Sequence, residues 1–108
     1  MDLSYERSRT ACIEAMHAAN MCFNECLVDK DVKEMASCIR LCREVAELCS
    51  VTIHALERSS PFITAITEIC AKACQTCADE CQKHDAKHCL DCAKACYDCA
   101  KILRELEG

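Results

Sequence analysis

An all-α protein, built as an antiparallel up-down-up-down four-helix bundle with a cysteine-lined core, is the fold this sequence predicts. Three observations predict it. The 108 residues include one Gly, one Pro, no Trp and two Phe, too few turn-formers and aromatics for a sandwich or barrel. Cysteines recur at helical spacing: Cys70, Cys74, Cys77 and Cys81 are separated 4-3-4, and Cys89, Cys92, Cys96 and Cys99 are separated 3-4-3. A helix turns about every 3.6 residues, so each quartet falls on one face, where a bundle normally places leucines. Short polar breaks divide the chain into four helical lengths, and short connections make neighbouring helices antiparallel.

Taken in order, the first helix is expected from Ser4, read as an N-cap ahead of Glu6, to about Val28. Its inward face reads Cys12, Met16, Ala19, Cys22 or Phe23, and Cys26. Asp29–Asp31 breaks it, and Asp31 with Glu34 forms a capping-box-like start for the second helix. That helix runs to about Arg58 with Met35, Cys38, Cys42, Val45, Cys49, Thr52 or Ile53, and Leu56 in register. Ser60-Pro61 marks the sharpest boundary, a Ser N-cap with Pro at the first helical position. The third helix is expected over 61–83 and the fourth over 87–106, with Asp85 or Ala86 at the turn. No linker interrupts residues 1–108, which read as one metal-binding domain.

Placed by height, the turns near Lys30 and Asp85 lie at one end, the mouth. Counting inward come Cys26, Cys38, Cys81 and Cys89, then Cys22, Cys42, Cys77 and Cys92, then Cys74 and Cys96, then Cys12, Cys49, Cys70 and Cys99. Beyond them Ile53, Leu56, Phe62, Ile63, Ile66, Ile69, Ile102, Leu103 and Leu106 are expected to form a hydrophobic plug. The thiol-lined part is a tube roughly 20–25 Å long, at about 1.5 Å per residue.

Net charge −5 argues against nucleic acid or an anionic membrane surface as a partner, and suits a cation. No apolar run reaches the length of a membrane span, and MDLSYERSRT carries no secretory signal, so the expected location is the cytoplasm. Thiols stay reduced there, which favours metal binding over a disulfide framework. Cysteines three or four apart on one helix also point side by side rather than at each other, so only bridges between helices have workable geometry. Fourteen cysteines in register fill space poorly compared with Leu and Ile, so packing alone does not explain them.

The spacing bears on which metal. Cys22/Cys26, Cys38/Cys42, Cys70/Cys74, Cys77/Cys81 and Cys92/Cys96 are C-x-x-x-C pairs, whose Cβ atoms lie about 5–6 Å apart. Two metal–thiolate bonds end to end span roughly 4–5 Å, so one ion fits between two sulfurs. Two-coordinate thiolate suits Cu(I) and leaves Zn(II) short of its tetrahedral set. A core filled near one Cu(I) per thiolate is almost neutral, whereas tetrathiolate zinc leaves about two negative charges to be compensated. No inward position is Lys or Arg.

CAKACQTCADEC and CLDCAKACYDCA resemble the motifs of the four-helix-bundle copper storage proteins, the cysteine-rich DUF326 family. The resemblance spans the chain in length, helix count and cysteine placement, with the densest motifs in residues 70–99. It implies a four-helix bundle that fills with multiple Cu(I) ions and assembles as a homotetramer, and the lack of an export signal places the sequence with the cytosolic branch. The leading expectation is a non-enzymatic store that can exchange copper with donor or acceptor proteins. Ala15, Met16, Ala19 and Val45 stand where denser members could carry further cysteines, so capacity should be lower. Cys12-x-x-x-Met16 reads either as a thiolate–thioether pair or as a Met packed in the core. Met35, His84 and His88 near the mouth are candidates to take up Cu(I), with solvated turn residues as the plain alternative for the two histidines. His17 and His54 fall off the stripes as surface residues, and Met21 receives no role. Ile13, Leu41 and Leu90 lean outward and permit oligomerisation.

Two other readings stay open at this level. A zinc reservoir would saturate at roughly three to seven ions for fourteen thiolates. A thiol-redox protein is suggested by the three C-x-x-C spacings but lacks a strand–helix context. An iron–sulfur carrier is disfavoured, because the C-x-x-C-x-x-C loop run is absent.

Overall fold

The computed structural model describes residues 1–107. It contains four helices, α1 (Leu3–Leu27), α2 (Ala36–Glu57), α3 (Ile63–Cys81) and α4 (Lys87–Glu107), with one 3₁₀ turn at Val32–Met35 and no strand among the described residues. α1 packs on α2 and α4, and α3 packs on the same two, giving a rod of 44 × 19 × 18 Å. The expected all-α four-helix bundle is the observed architecture.

The helix starts differ from expectation in instructive ways. Asp2, not Ser4, caps α1: its carboxylate accepts the Ser4 N–H at 2.8 Å. Ser4 follows the cap and its hydroxyl also donates to that carboxylate. The Asp31–Glu34 capping box does not form. Asp31 precedes the 3₁₀ turn without a side-chain cap bond, while its N–H is held by Asp29 at 2.8 Å. α2 therefore begins five residues later, at Ala36. Ser60 and Pro61 likewise precede α3 by a full turn, with the Ser60 hydroxyl accepting the Phe62 N–H at 3.1 Å.

The α2 terminus closes as a Schellman motif. Ser60 N–H reaches the Ala55 carbonyl at 2.9 Å and Ser59 N–H reaches that of Leu56 at 3.3 Å. This requires Ser59 in the left-handed region at φ 50°, a place usually given to glycine. The only glycine of this chain is Gly108, so a serine bears the strain.

The end away from the mouth is held by Leu56, Leu103, Ile53 and Ala55, all buried. Fully burying each leucine is worth about 1.5–3 kcal/mol. The expected plug is smaller than the sequence suggested. Phe62 is 68% exposed and Ile69 53% exposed, while Ile63, Ile66, Ile102 and Leu106 are only half-buried. Small polar residues take the inner positions instead. Thr52 and Thr67 are buried and donate to the Leu48 and Ile63 carbonyls at 2.8 and 2.9 Å, which satisfies their hydroxyls within their own helices.

Ser8 has no such partner: its hydroxyl is buried and unpaired. Leaving a buried hydroxyl unsatisfied costs about 1–3 kcal/mol. Ser8→Ala is therefore expected to stabilise the apo protein by about 1 kcal/mol. Denaturant unfolding under reducing conditions measures this, and a loss of stability would show that the hydroxyl is bonded.

Candidate metal centre

All fourteen cysteines are fully buried free thiols. α1 contributes Cys12, Cys22 and Cys26; α2 contributes Cys38, Cys42 and Cys49; α3 and α4 contribute four each. Within helices, the Sγ atoms of Cys22–Cys26 and Cys77–Cys81 lie 3.8 Å apart and those of Cys92–Cys96 3.9 Å. These separations fall just short of the roughly 4–5 Å span of a linear dithiolate, so small side-chain rotations suffice to admit an ion.

Contacts between helices are equally close. Cys38–Cys81 meet at 3.0 Å, Cys22–Cys38 at 3.6 Å, Cys49–Cys70 at 3.8 Å, and Cys42–Cys92 and Cys12–Cys99 at 3.9 Å. Two four-thiol groups have all sulfurs within 4.8 Å: Cys22/Cys26/Cys38/Cys89 at the mouth and Cys22/Cys42/Cys81/Cys92 beneath it. Three-thiol groups follow at Cys77/Cys92/Cys96, Cys49/Cys74/Cys99 and Cys12/Cys49/Cys70. Shared members Cys22 and Cys92 join the upper three groups, and Cys49 joins the lower two. The upper and lower rafts share no thiol, and a waist separates Cys96 of the upper raft from Cys74 of the lower. At that waist α1 and α2 supply Ala15, Ala19 and Val45, all fully buried, where thiols would complete the ring.

The four other candidates separate. Met35 is buried, 7% exposed, and packs with the core. Met16 is half-buried against the core, because Ala15 takes the inward position of that turn. The inward α1 stripe is thus Cys12, Ala15, Ala19, Cys22, Cys26, a correction to the expected register. His88 turns inward: Nδ1 lies 3.6 Å from Cys22 Sγ, 3.8 Å from Cys26 Sγ and 3.5 Å from Cys89 Sγ. His84 instead pairs with Glu80, Nε2 to carboxylate, at 3.2 Å. The sequence treated the two histidines alike. Only the azimuth of α4 against α1 distinguishes them.

The buried polar residues of the described core are Ser8, Thr52, Ser60 and Thr67, none of them cationic. Thiolates there must be stabilised by neighbouring S–H groups or by metal. Burial, followed by the charge of nearby Cys38, pushes the Cys26 thiol up to about 11, and burial likewise raises Cys89. Hydrogen bonds from Cys42 and Cys81 bring Cys77 down to about 6. Bonds from Cys22, Cys42 and Cys81 carry Cys38 below the thiol range, and bonds from Cys22, Cys42 and Cys77 do so for Cys92.

Comparison with known proteins fits this arrangement. The family model described as copper storage protein matches residues 1–108. The chain belongs to the copper storage protein family. An uncharacterized cysteine-rich protein of Bacillus subtilis (strain 168), YhjQ, is 44% identical over 82 residues, 76% of each chain. The Cu(I)-bound copper storage protein BsCsp3 superposes with a TM-score of 0.94 at 41% identity, covering 97% of this chain and 99% of its own. A cytosolic copper storage protein from Streptomyces lividans, described with five coppers, gives 0.93 at 30% identity over 95% and 91%. As a family member the chain stores copper through cysteine thiolates in a helix bundle and is not an enzyme. No helix of the described residues is long and apolar enough to cross a membrane.

The thiol chemistry predicts an alkaline weakness. A thiol raised in the fold contributes stability that is present below its unfolded value of 9.0 and lost as pH rises through its folded value, about 11 for Cys26. A lowered thiol does the opposite, its contribution being lost as pH falls through its folded value, about 6 for Cys77. Cys12, Cys22, Cys26, Cys42, Cys49, Cys74, Cys81, Cys89 and Cys96 are raised, against Cys38, Cys70, Cys77, Cys92 and Cys99 lowered. Raised thiols dominate, so apo stability should fall as pH climbs from about 8 to about 11. Anaerobic thermal unfolding across that range checks it, and a flat profile would contradict the thiol assignment.

Proposed function

We propose that the span 1–108 acts as one storage unit, loading many Cu(I) ions onto Cys12, Cys22, Cys26, Cys38, Cys42, Cys49, Cys70, Cys74, Cys77, Cys81, Cys89, Cys92, Cys96 and Cys99 and returning them to partner proteins. The observation that carries this reading is the set of fourteen buried thiols, gathered into two rafts with no buried cation among the described residues. Filling it near one Cu(I) per thiolate keeps the interior close to neutral, which divalent ions cannot do at the same density. His88, Met35 and His84 are assigned to uptake at the mouth, and Met16 to a thioether ligand beside Cys12. Placement in the cytoplasm is supported by the Streptomyces lividans relative, described as cytosolic.

The test is an anaerobic Cu(I) titration of the thiol-counted apo protein against a competing chelator. Saturation is expected at about ten or more Cu(I) per chain, against roughly three to seven Zn(II). A stop at one or two ions would replace storage by a chaperone role. In the same titration, replacing Cys74, Cys77, Cys92 and Cys96 by Ser should lower capacity in proportion while the helices persist, and Val45→Cys should raise it.

The assembly is assigned as a homotetramer. Ile13 and Leu90 are 42% and 46% exposed on α1 and α4. On the other side, Leu41, Leu48, Ile69 and Ala73 line a shallow groove between α2 and α3. Apolar residues on both sides suit burial between copies. Sedimentation at micromolar concentration should give a species of four chains; a monomer at all concentrations would remove this part of the proposal.

A further inference from the structure

Every thiol is sealed from solvent, so an arriving ion must first meet a ligand that is not a cysteine. His88 is the side chain placed to bridge the two sides. Its Nδ1 touches the thiols of Cys22, Cys26 and Cys89, while the residue also lines an outer groove of about 420 Å³ between α1 and α4. The two ring nitrogens point away from each other, so Nδ1 against the thiols leaves Nε2 for the groove side.

The same groove is lined by His17 and Met21, one turn apart on α1. Positions i and i+4 stand about 5–6 Å apart at Cβ, close enough for one ion to touch both. Both residues lie off the thiol stripe and are exposed, Met21 at 52%. Imidazole and thioether are ligands that Cu(I) accepts, and hard cations do not choose thioethers. The lining charges also favour a cation. Lys87 is neutralised by Asp91 at 2.7 Å, while Glu25 has no ion-pair partner among the described residues.

We propose that this lateral groove is a surface pick-up site that hands Cu(I) to His88. His17 and Met21 receive the ion at the surface, His88 takes it from them, and Cys22, Cys26 and Cys89 draw it inside. Each step is a ligand exchange at constant oxidation state. The proton displaced from each thiol leaves to solvent. The route rests on the storage reading above but adds a surface pick-up site to it. His84, tied to Glu80, lies outside this path.

The experiment is anaerobic stopped-flow transfer of Cu(I) from a coloured chelate to the apo protein, with final stoichiometry read in the same samples. Met21→Leu keeps the apolar shape and removes the sulfur; His17→Gln removes the imidazole and remains polar. The double variant should take up its first equivalent about tenfold more slowly, a barrier increase of about 1.4 kcal/mol, with wild-type capacity. His54→Gln, at an exposed histidine of α2 outside the groove, should load at the wild-type rate. Wild-type uptake by the double variant, or equal slowing by His54→Gln, would overturn the proposal. Low capacity in the wild type would instead count against storage itself, so the two failures are distinguishable.

Discussion

Contact between thiol and thiol, in an interior where no buried residue among those described is cationic, is the condition on which the rest of this molecule depends. A sulfur facing another sulfur at 3.6–4.0 Å packs adequately and forms a weak S–H hydrogen bond. Neither effect approaches the energy of a leucine core. The apo bundle must therefore stand on what surrounds the thiols. Leu56, Leu103 and Ile53 close one end, and buried alanines at Ala71, Ala78, Ala93 and Ala100 let the helices approach closely along the tube. Surface ion pairs such as Arg9–Glu57 at 2.9 Å and Lys94–Asp98 at 2.9 Å add little at their exposure.

That division of labour lets one fold serve empty and loaded states. A structural metal site contributes folding energy outright, and its apo form tends to be unfolded. Here α1 has its Asp2 cap, α2 its Schellman closure and one end an apolar plug, none of which involves a thiol. Binding still stabilises the folded state by mass action, increasingly as ions are added. Most thiols of the apo core are held protonated, and metal replaces those protons rather than adding charge to them.

Much of this was legible in the sequence because a single residue type marked the inward face. Cys70–Cys81 and Cys89–Cys99 fixed their stripes by spacing alone, and all their thiols are buried where that spacing placed them. Composition alone could not decide positions where two registers were both helical. After Cys12, the next inward residue could be Ala15 or Met16, and the packing of α1 between α2 and α4 selects the alanine. Phe62 and Ile69 read as plug residues because they are apolar, yet they face outward beside Thr67, which turns in. The helix starts were misplaced by two to five residues because Asp2, Asp31 and Ser60 compete as hydrogen-bonding punctuation, and only the local backbone settles which one caps. His88 over Cys22 and Cys26 is a relation between helices sixty residues apart in sequence, visible only once their relative height and rotation are set.

The waist gives the thiol network its internal structure. Above it, Cys22 and Cys92 knit three groups into a raft that reaches the mouth; below it, Cys49 joins the two groups next to the plug. Between them the ring is half apolar, with Ala15, Ala19 and Val45 opposite Cys74 and Cys96. Each exchange step needs a thiol on both sides of the moving ion, and at this height only α3 and α4 provide them. The dense cysteine stretch from Cys70 to Cys99 is consequently more than half of the lining, eight of the fourteen thiols, including the two at the waist. The sparser wall from α1 and α2 supplies the thiols that complete the groups at either end.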